Sequence, residues 1–210
     1  YTPYVVPGLF MLILHQTLLI GTGILGAGQW GTQSRQASAA TSSLPVGWLH
    51  LSAVAIVCGR ITAFMLIYLF FTGFYVGFCF YWYEVSTQAT LGLVALWLLP
   101  FLLSTAAAGI AMSTLFVRRD LPTQVLLLAS MPIMFVSGFV WPVALIPEPL
   151  VWVSQVIPAV PAIMGMLELN QMGASWASVW PKWLQLWGLF VLFFVLAIVG
   201  VRTRQRLSQT

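Results

Sequence analysis

The sequence predicts an all-α fold: a polytopic transmembrane helical bundle of five spans, with a re-entrant or interfacial helical pair on its outer side. Three observations lead there. Of the 210 residues, 60% are hydrophobic and only 6% are charged, where soluble domains carry roughly 25%. Five apolar runs free of charge meet the length of about 17 to 25 residues needed to cross the hydrocarbon of a bilayer. The basic residues fall almost entirely on one side of those runs, as membrane topology demands.

This composition excludes a water-facing exterior, so lipid is the solvent for most of the chain. The net charge of +4 does not indicate nucleic acid, because the basic residues are scattered along an apolar chain rather than gathered on a polar one. Two cysteines and two histidines offer no metal-ligand spacing, and no metal, cofactor or catalytic residue is expected. Cys58 and Cys79 flank one apolar run that would hold them about 30 Å apart along a helix, too far to pair. They read as buried cysteines acting as small apolar side chains.

The runs are Val5 to Gly28, Ile61 to Phe80, Leu91 to Val117, Leu121 to Val143 and Trp183 to Val201. Between the last two lies an apolar segment, residues 144–182, that contains Pro147, Pro149, Pro158 and Pro161. Prolines at that density free backbone groups that lipid cannot satisfy. A re-entrant pair shielded by other helices fits better than a sixth crossing. With five spans, Arg35, Arg60, Arg118, Arg119, Arg202, Arg204 and Arg206 share one side and only Lys182 takes the other. That split places the carboxyl end in the cytoplasm and the amino end outside. The chain opens on Tyr1 with no basic segment before the first run, so the expectation is a further helix upstream.

Residues 29–60 form the longest inside connection. The stretch GQWGTQSRQASAATSS is small and polar and reads as a loop. Beyond it, Val46, Leu49, Ala53 and Val57 recur at helical spacing, either as a short interfacial helix or as an early start to the second span. Trp48 and His50 suit the interface. Ser137 and Gly138 sit near the outer end of the fourth span, followed by Pro142 and Pro147, which suggests close packing and then a reversal. A nucleophilic serine needs a base in reach, and His15, the one histidine within a span, has no carboxylate beside it in sequence. Gly73 with Gly77, and Ala107 with Ala111, are small-xxx-small pairs suited to helix association. The tryptophans Trp82, Trp141, Trp152, Trp176, Trp180 and Trp183 read as interfacial anchors. No ionisable residue lies deep in a span, which disfavours an ion-coupled carrier. The only lysine, Lys182, follows proline, so no phosphate-binding loop is present, and HExxH and GxSxG are absent too.

On these segments the chain resembles the membrane permeases of type-2 ATP-binding-cassette exporters, as the last five of their six helices, over essentially its whole length. VVPGLFMLIL from Val5 to Leu14 is similar to the opening of the family's second helix. Gln29, Trp30, Gly31 and Thr32 occupy the place of its acidic Glu-x-Gly-Thr coupling stretch, with Gln29 and Trp30 where acids are common. Gly59 and Arg60 stand where Gly-Lys often leads the next helix. The most specific stretch is SGFVWPVALIPEPL, Ser137 to Leu150, with Ile157 and Pro158. It resembles the Ser-Gly and spaced-proline signature at the outer end of the family's fifth helix, while Val160 and Pro161 replace the usual Thr-Tyr residues.

The resemblance implies a homodimer or a pairing with a related permease, and a cytoplasmic ATP-binding subunit that uses the ATP. It implies coupling through Gln29, Trp30, Gly31, Thr32 and Arg35. It also implies an outer gate or re-entrant turn at Ser137, Gly138, Pro142, Pro147 and Pro158, and residence in the inner (plasma) membrane. Two other readings stay open at this point. One is an intramembrane enzyme acting on lipid-linked substrate through His15, Gln16, Glu84 and Glu168; the other is a membrane assembly factor.

Overall fold

Helices form where the apolar runs predict them, but caps and prolines rather than hydropathy set their ends. The computed structural model describes residues 2–38, 51–83, 85, 87–116, 118–141 and 143–207, and within 2–38 the side chains of 5–29. The elements are α1 Thr2–Ser38, α2 Ala53–Trp82, α3 Leu91–Ser113, α4 Asp120–Val136, α5 Glu148–Ser154, α6 Ala159–Asn170 and α7 Trp176–Leu207. A single 3₁₀ turn, Val143–Leu145, precedes α5. No strand occurs among the described residues.

Four stretches are long and apolar enough to cross a membrane: Val5–Gln29, Ala53–Trp82, Leu91–Ser113 and Trp176–Leu207. The fourth expected span is shorter than its apolar run, since α4 stops at Val136 after 17 residues, about 25 Å of helix. It still runs the length of the bundle antiparallel to α1, with Pro122 against Gly23 at one end and Phe139 against Gly8 at the other. Gly138 explains the early stop. Its φ of +77° is left-handed, a conformation that glycine adopts without strain.

The expected loop at residues 29–38 is a correction: the backbone stays helical through Ser38, continuing α1. Adding residues to an existing helix costs less than starting one, so a polar sequence can ride on an apolar nucleus. The second half of that connection, residues 39–50 with Val46, Trp48, Leu49 and His50, lies outside the described residues. α2 then begins at Ala53, where the Ser52 side chain accepts a hydrogen bond from the Ala55 N–H at 3.2 Å. This is the early start to the second span, with Ser52 as its N-cap. Within α2, Gly73–Cys79 is π-helical.

The core is built around α3, which packs against α1, α2, α6 and α7. Its buried face includes Trp97, Phe101, Ala106, Ala107 and Ile110. α1 and α3 run parallel and approach closely where a Cβ on Gly109 would overlap the Thr22 hydroxyl and crowd the Leu19 backbone. The α5–α6 pair, long and apolar enough together for one broken span or a re-entrant loop, is asymmetric. α5 lies at the surface, the chain bends by 93°, and α6 then runs buried among α1, α3 and α7 from Ala159 to Asn170. Cys79 is buried as expected, but Cys58 is a correction: it is exposed on the outer surface of the helices, a face that meets lipid in a bilayer.

Candidate functional site

The bundle has two chemically different ends. At the first, arginines converge on the termini of α1, α2 and α3. Arg60, only 8% exposed, donates from Nη2 to the Gln29 side-chain oxygen across α1 and α2. Arg119 lies against Gly28, and the Ser113 hydroxyl against Gly26. Arg204 Nε, in the last turn of α7, donates to the Thr114 carbonyl at 2.7 Å. That oxygen closes the carboxyl end of α3, where the helix dipole favours a cation. Gln205 donates to the Leu51 carbonyl at 3.0 Å, tying α7 to the start of α2. Arg118 pairs with Asp120 at 3.0 Å on the exposed connection between α3 and α4.

Of the expected coupling residues, only Gln29 has a described side chain. Trp30, Gly31, Thr32 and Arg35 follow it on the helical continuation of α1, their side chains outside the described residues. Sequence reasoning missed the Arg60–Gln29 link. Arg60 read as the charge that delays a span, not as a group folded onto the neighbouring helix.

The second end holds the turn residues. Ser137 is buried and its hydroxyl donates to the Ile133 carbonyl of its own helix, so it closes α4 and is not held by any base. A Cβ on Gly138 would meet Val143 and the Met164 sulfur, which sets the turn after α4 against α6. Pro147 caps α5 and is exposed, while Pro158 caps α6 and is buried. Pro142 lies outside the described residues. Phe135, Val136, Trp141, Leu145, Ile146, Pro147 and Leu150 line an apolar groove of about 320 Å³ here.

Polar clasps fix α6 in place. Trp97 Nε1 donates to the Ala162 carbonyl at 3.1 Å, and Gly165 lets the Trp97 ring lie directly on the helix. Lys182 of α7 reaches both carboxylate oxygens of Glu168 at 2.8 and 2.7 Å. Gln185 donates to the Gln155 backbone and side-chain oxygens at 3.0 and 3.1 Å. The Asn170 carbonyl accepts from the Gln88 backbone N–H at 3.1 Å. None of these pairings was visible in the sequence, because each joins elements whose contact only the fold defines.

The pocket required by an intramembrane enzyme is not assembled among the described residues. Glu168 is taken up by Lys182, and the fully buried His15 stacks on Phe101 at 6.4 Å with neither ring nitrogen hydrogen-bonded. Glu84 lies outside the described residues. No group of His, Cys, Asp and Glu suited to a metal occurs among those described.

A multi-pass helical bundle with a basic end and a clasped re-entrant helix at the opposite end defines a membrane permease domain. The model for "ABC-2 family transporter protein" matches residues 1–199, and the chain belongs to that family. It is therefore a membrane component of an ATP-binding-cassette transporter, a family that works with an ATP-binding subunit. A comparison with curated proteins finds no match.

Proposed function

We propose that this chain is the membrane-spanning permease of an ATP-driven exporter, forming the substrate path while a separate cytoplasmic ATPase supplies the energy. The polarity of the bundle carries this reading. Every arginine whose side chain is described belongs to the end where α1 runs on as helix to Ser38, and a basic end is the cytoplasmic one. The carboxyl end of α7 then faces the cytoplasm, in the inner (plasma) membrane.

A partner docked on residues 29–38 would push on a helix continuous with the first span, and the Gln29–Arg60 bond would pass that movement to α2. At the other end, the turn through Ser137, Gly138, Pro142, Pro147 and Pro158 serves as the outer gate, with α6 held in the core beneath it. The subunit pairs with a second copy or a related permease to complete the path. The chain itself supplies no nucleotide chemistry: its single lysine is engaged by Glu168 and lies outside any Gly-Lys-Ser/Thr loop.

The test is to purify the permease with and without a candidate ATP-binding subunit. ATP hydrolysis is expected only with that subunit present. Turnover by the permease after removal of every other chain would overturn the assignment.

A further inference from the structure

Arg60 poses an electrostatic problem that the described residues do not solve. Its side chain is more than nine-tenths buried, its Nη2 has only the neutral amide oxygen of Gln29, and its buried Nη1 has no hydrogen-bond partner among the described residues. A buried guanidinium without a counter-charge is costly. The Nη1 atom lies over Gly26, 3.4 Å from where a Cβ would stand, with the Ser113 hydroxyl crowding the same point. Arg119 lies two residues further along α1, against Gly28.

Among the described residues no acid is left to supply the missing anion at this end. The chain has four acidic residues, Glu84, Asp120, Glu148 and Glu168. Glu148 and Glu168 belong to α5 and α6 at the opposite end, and Glu84 lies outside the described residues. Asp120, the one acid nearby, is engaged by Arg118 at 3.0 Å.

We infer that Arg60, with Arg119 and Gln29, forms a binding site for the phosphate of a membrane lipid headgroup at the basic end of the bundle. Depth selects the lipid over an acidic side chain of a soluble partner. Arg60 is eight residues into α2 counting from Ala53, about 10 Å along the axis. It bonds Gln29, where the apolar stretch of α1 ends. The guanidinium thus sits at the boundary between hydrocarbon and water, the level of lipid phosphates, and not beyond it where a cytoplasmic subunit docks. Arg119 is exposed and would meet the headgroup first. Guanidinium groups match phosphate geometry with paired N–H donors. The inference does not depend on the direction of transport.

The experiment uses the permease purified in detergent with its ATP-binding subunit. Retained lipid is counted by native mass spectrometry, and the melting temperature is followed on adding phosphatidylglycerol, diacylglycerol of the same acyl chains, or inorganic phosphate. Phosphatidylglycerol should bind and stabilise, diacylglycerol should not, and inorganic phosphate should need at least a hundredfold higher concentration. Arg60→Gln should weaken phosphatidylglycerol binding at least tenfold, Arg60→Lys should keep most of it, and the exposed Arg202→Gln should leave it unchanged. If Arg60→Gln does not fold, Arg119→Gln, an exposed position, should still weaken binding severalfold. Equal binding by wild type and both glutamine variants would overturn the site. So would stabilisation by inorganic phosphate at the concentration that suffices for lipid, or stabilisation through Arg60 that comes from the ATP-binding subunit and is indifferent to lipid.

Discussion

Trp183 donates its indole N–H to the carbonyl of Leu96 at 3.0 Å, and that oxygen is the one that Pro100 leaves without its helical donor. A proline four residues on has no N–H to give, so α3 carries a free carbonyl within the bundle. The aromatic end of α7 supplies the missing bond. Trp183→Phe keeps the ring and removes the donor, and should destabilise the protein by about 1 kcal/mol. In a Pro100→Ala background, where residue 100 regains its N–H, the same substitution should cost much less. Thermal unfolding of the four proteins in detergent, analysed as a double-mutant cycle, checks the coupling.

The glycines separate into two groups. Gly109→Val would drive a side chain into Thr22 and the Leu19 backbone, and overpacking of this kind costs about 1–3 kcal/mol. A Cβ at Gly73 or Gly77 meets nothing within 4 Å, so Gly73→Ala and Gly77→Ala should leave the melting temperature of the single subunit unchanged or slightly raised. The small-residue pair in α2 therefore packs on nothing among the described residues, unlike Ala107, which is buried. Comparative melting of the three variants tests the distinction.

Much of this arrangement is legible in the sequence, and the exceptions have physical causes. The apolar runs locate the crossing helices because lipid leaves no other way to satisfy a backbone. Their ends are harder to read. Arg60 delays the apolar run to Ile61, yet the helix begins at Ala53 on its Ser52 N-cap, with the guanidinium folded onto Gln29. Pro181 and Lys182 made α7 seem to start at Trp183, yet it begins at Trp176, with Lys182 engaged by Glu168. The prolines from Pro147 to Pro161 announced a re-entrant segment. They did not announce that α5 would lie at the surface while α6 became core, since both halves are apolar.

The Glu168–Lys182 pair joins α6 to α7 with both side chains about a quarter to a third exposed. Lys182→Glu should loosen α6, at a cost of about 1 kcal/mol for a partly exposed pair. The reversed pair Lys182→Glu with Glu168→Lys should recover most of it. Hydrogen exchange at Ala162 to Asn170 provides the readout: faster exchange in the single variant and near-normal exchange in the double.

Orientation can be read directly by labelling. In a background lacking Cys58 and Cys79, single cysteines at Ser175, exposed before α7, and at Gln209 should react from opposite sides of the membrane. An impermeant reagent applied to intact cells should reach Ser175→Cys and spare Gln209→Cys. Equal labelling would remove the basis for placing the arginine-rich end in the cytoplasm.

A separate ATPase is expected to drive this permease through the helical continuation of α1, and ATPase stimulation in the reconstituted complex decides whether it does. Trp30→Ala and Arg35→Glu lie beyond the apolar stretch that ends at Gln29, so membrane insertion should be unaffected. Loss of a buried anchor at a docking surface costs about 2 kcal/mol or more, roughly thirtyfold in affinity. Co-purification of the ATP-binding subunit and its permease-stimulated hydrolysis should therefore fall sharply in each variant while the permease remains folded. Association and stimulation at the wild-type level in both variants would contradict the account and move coupling to another surface, with the Arg118–Asp120 connection the next to test.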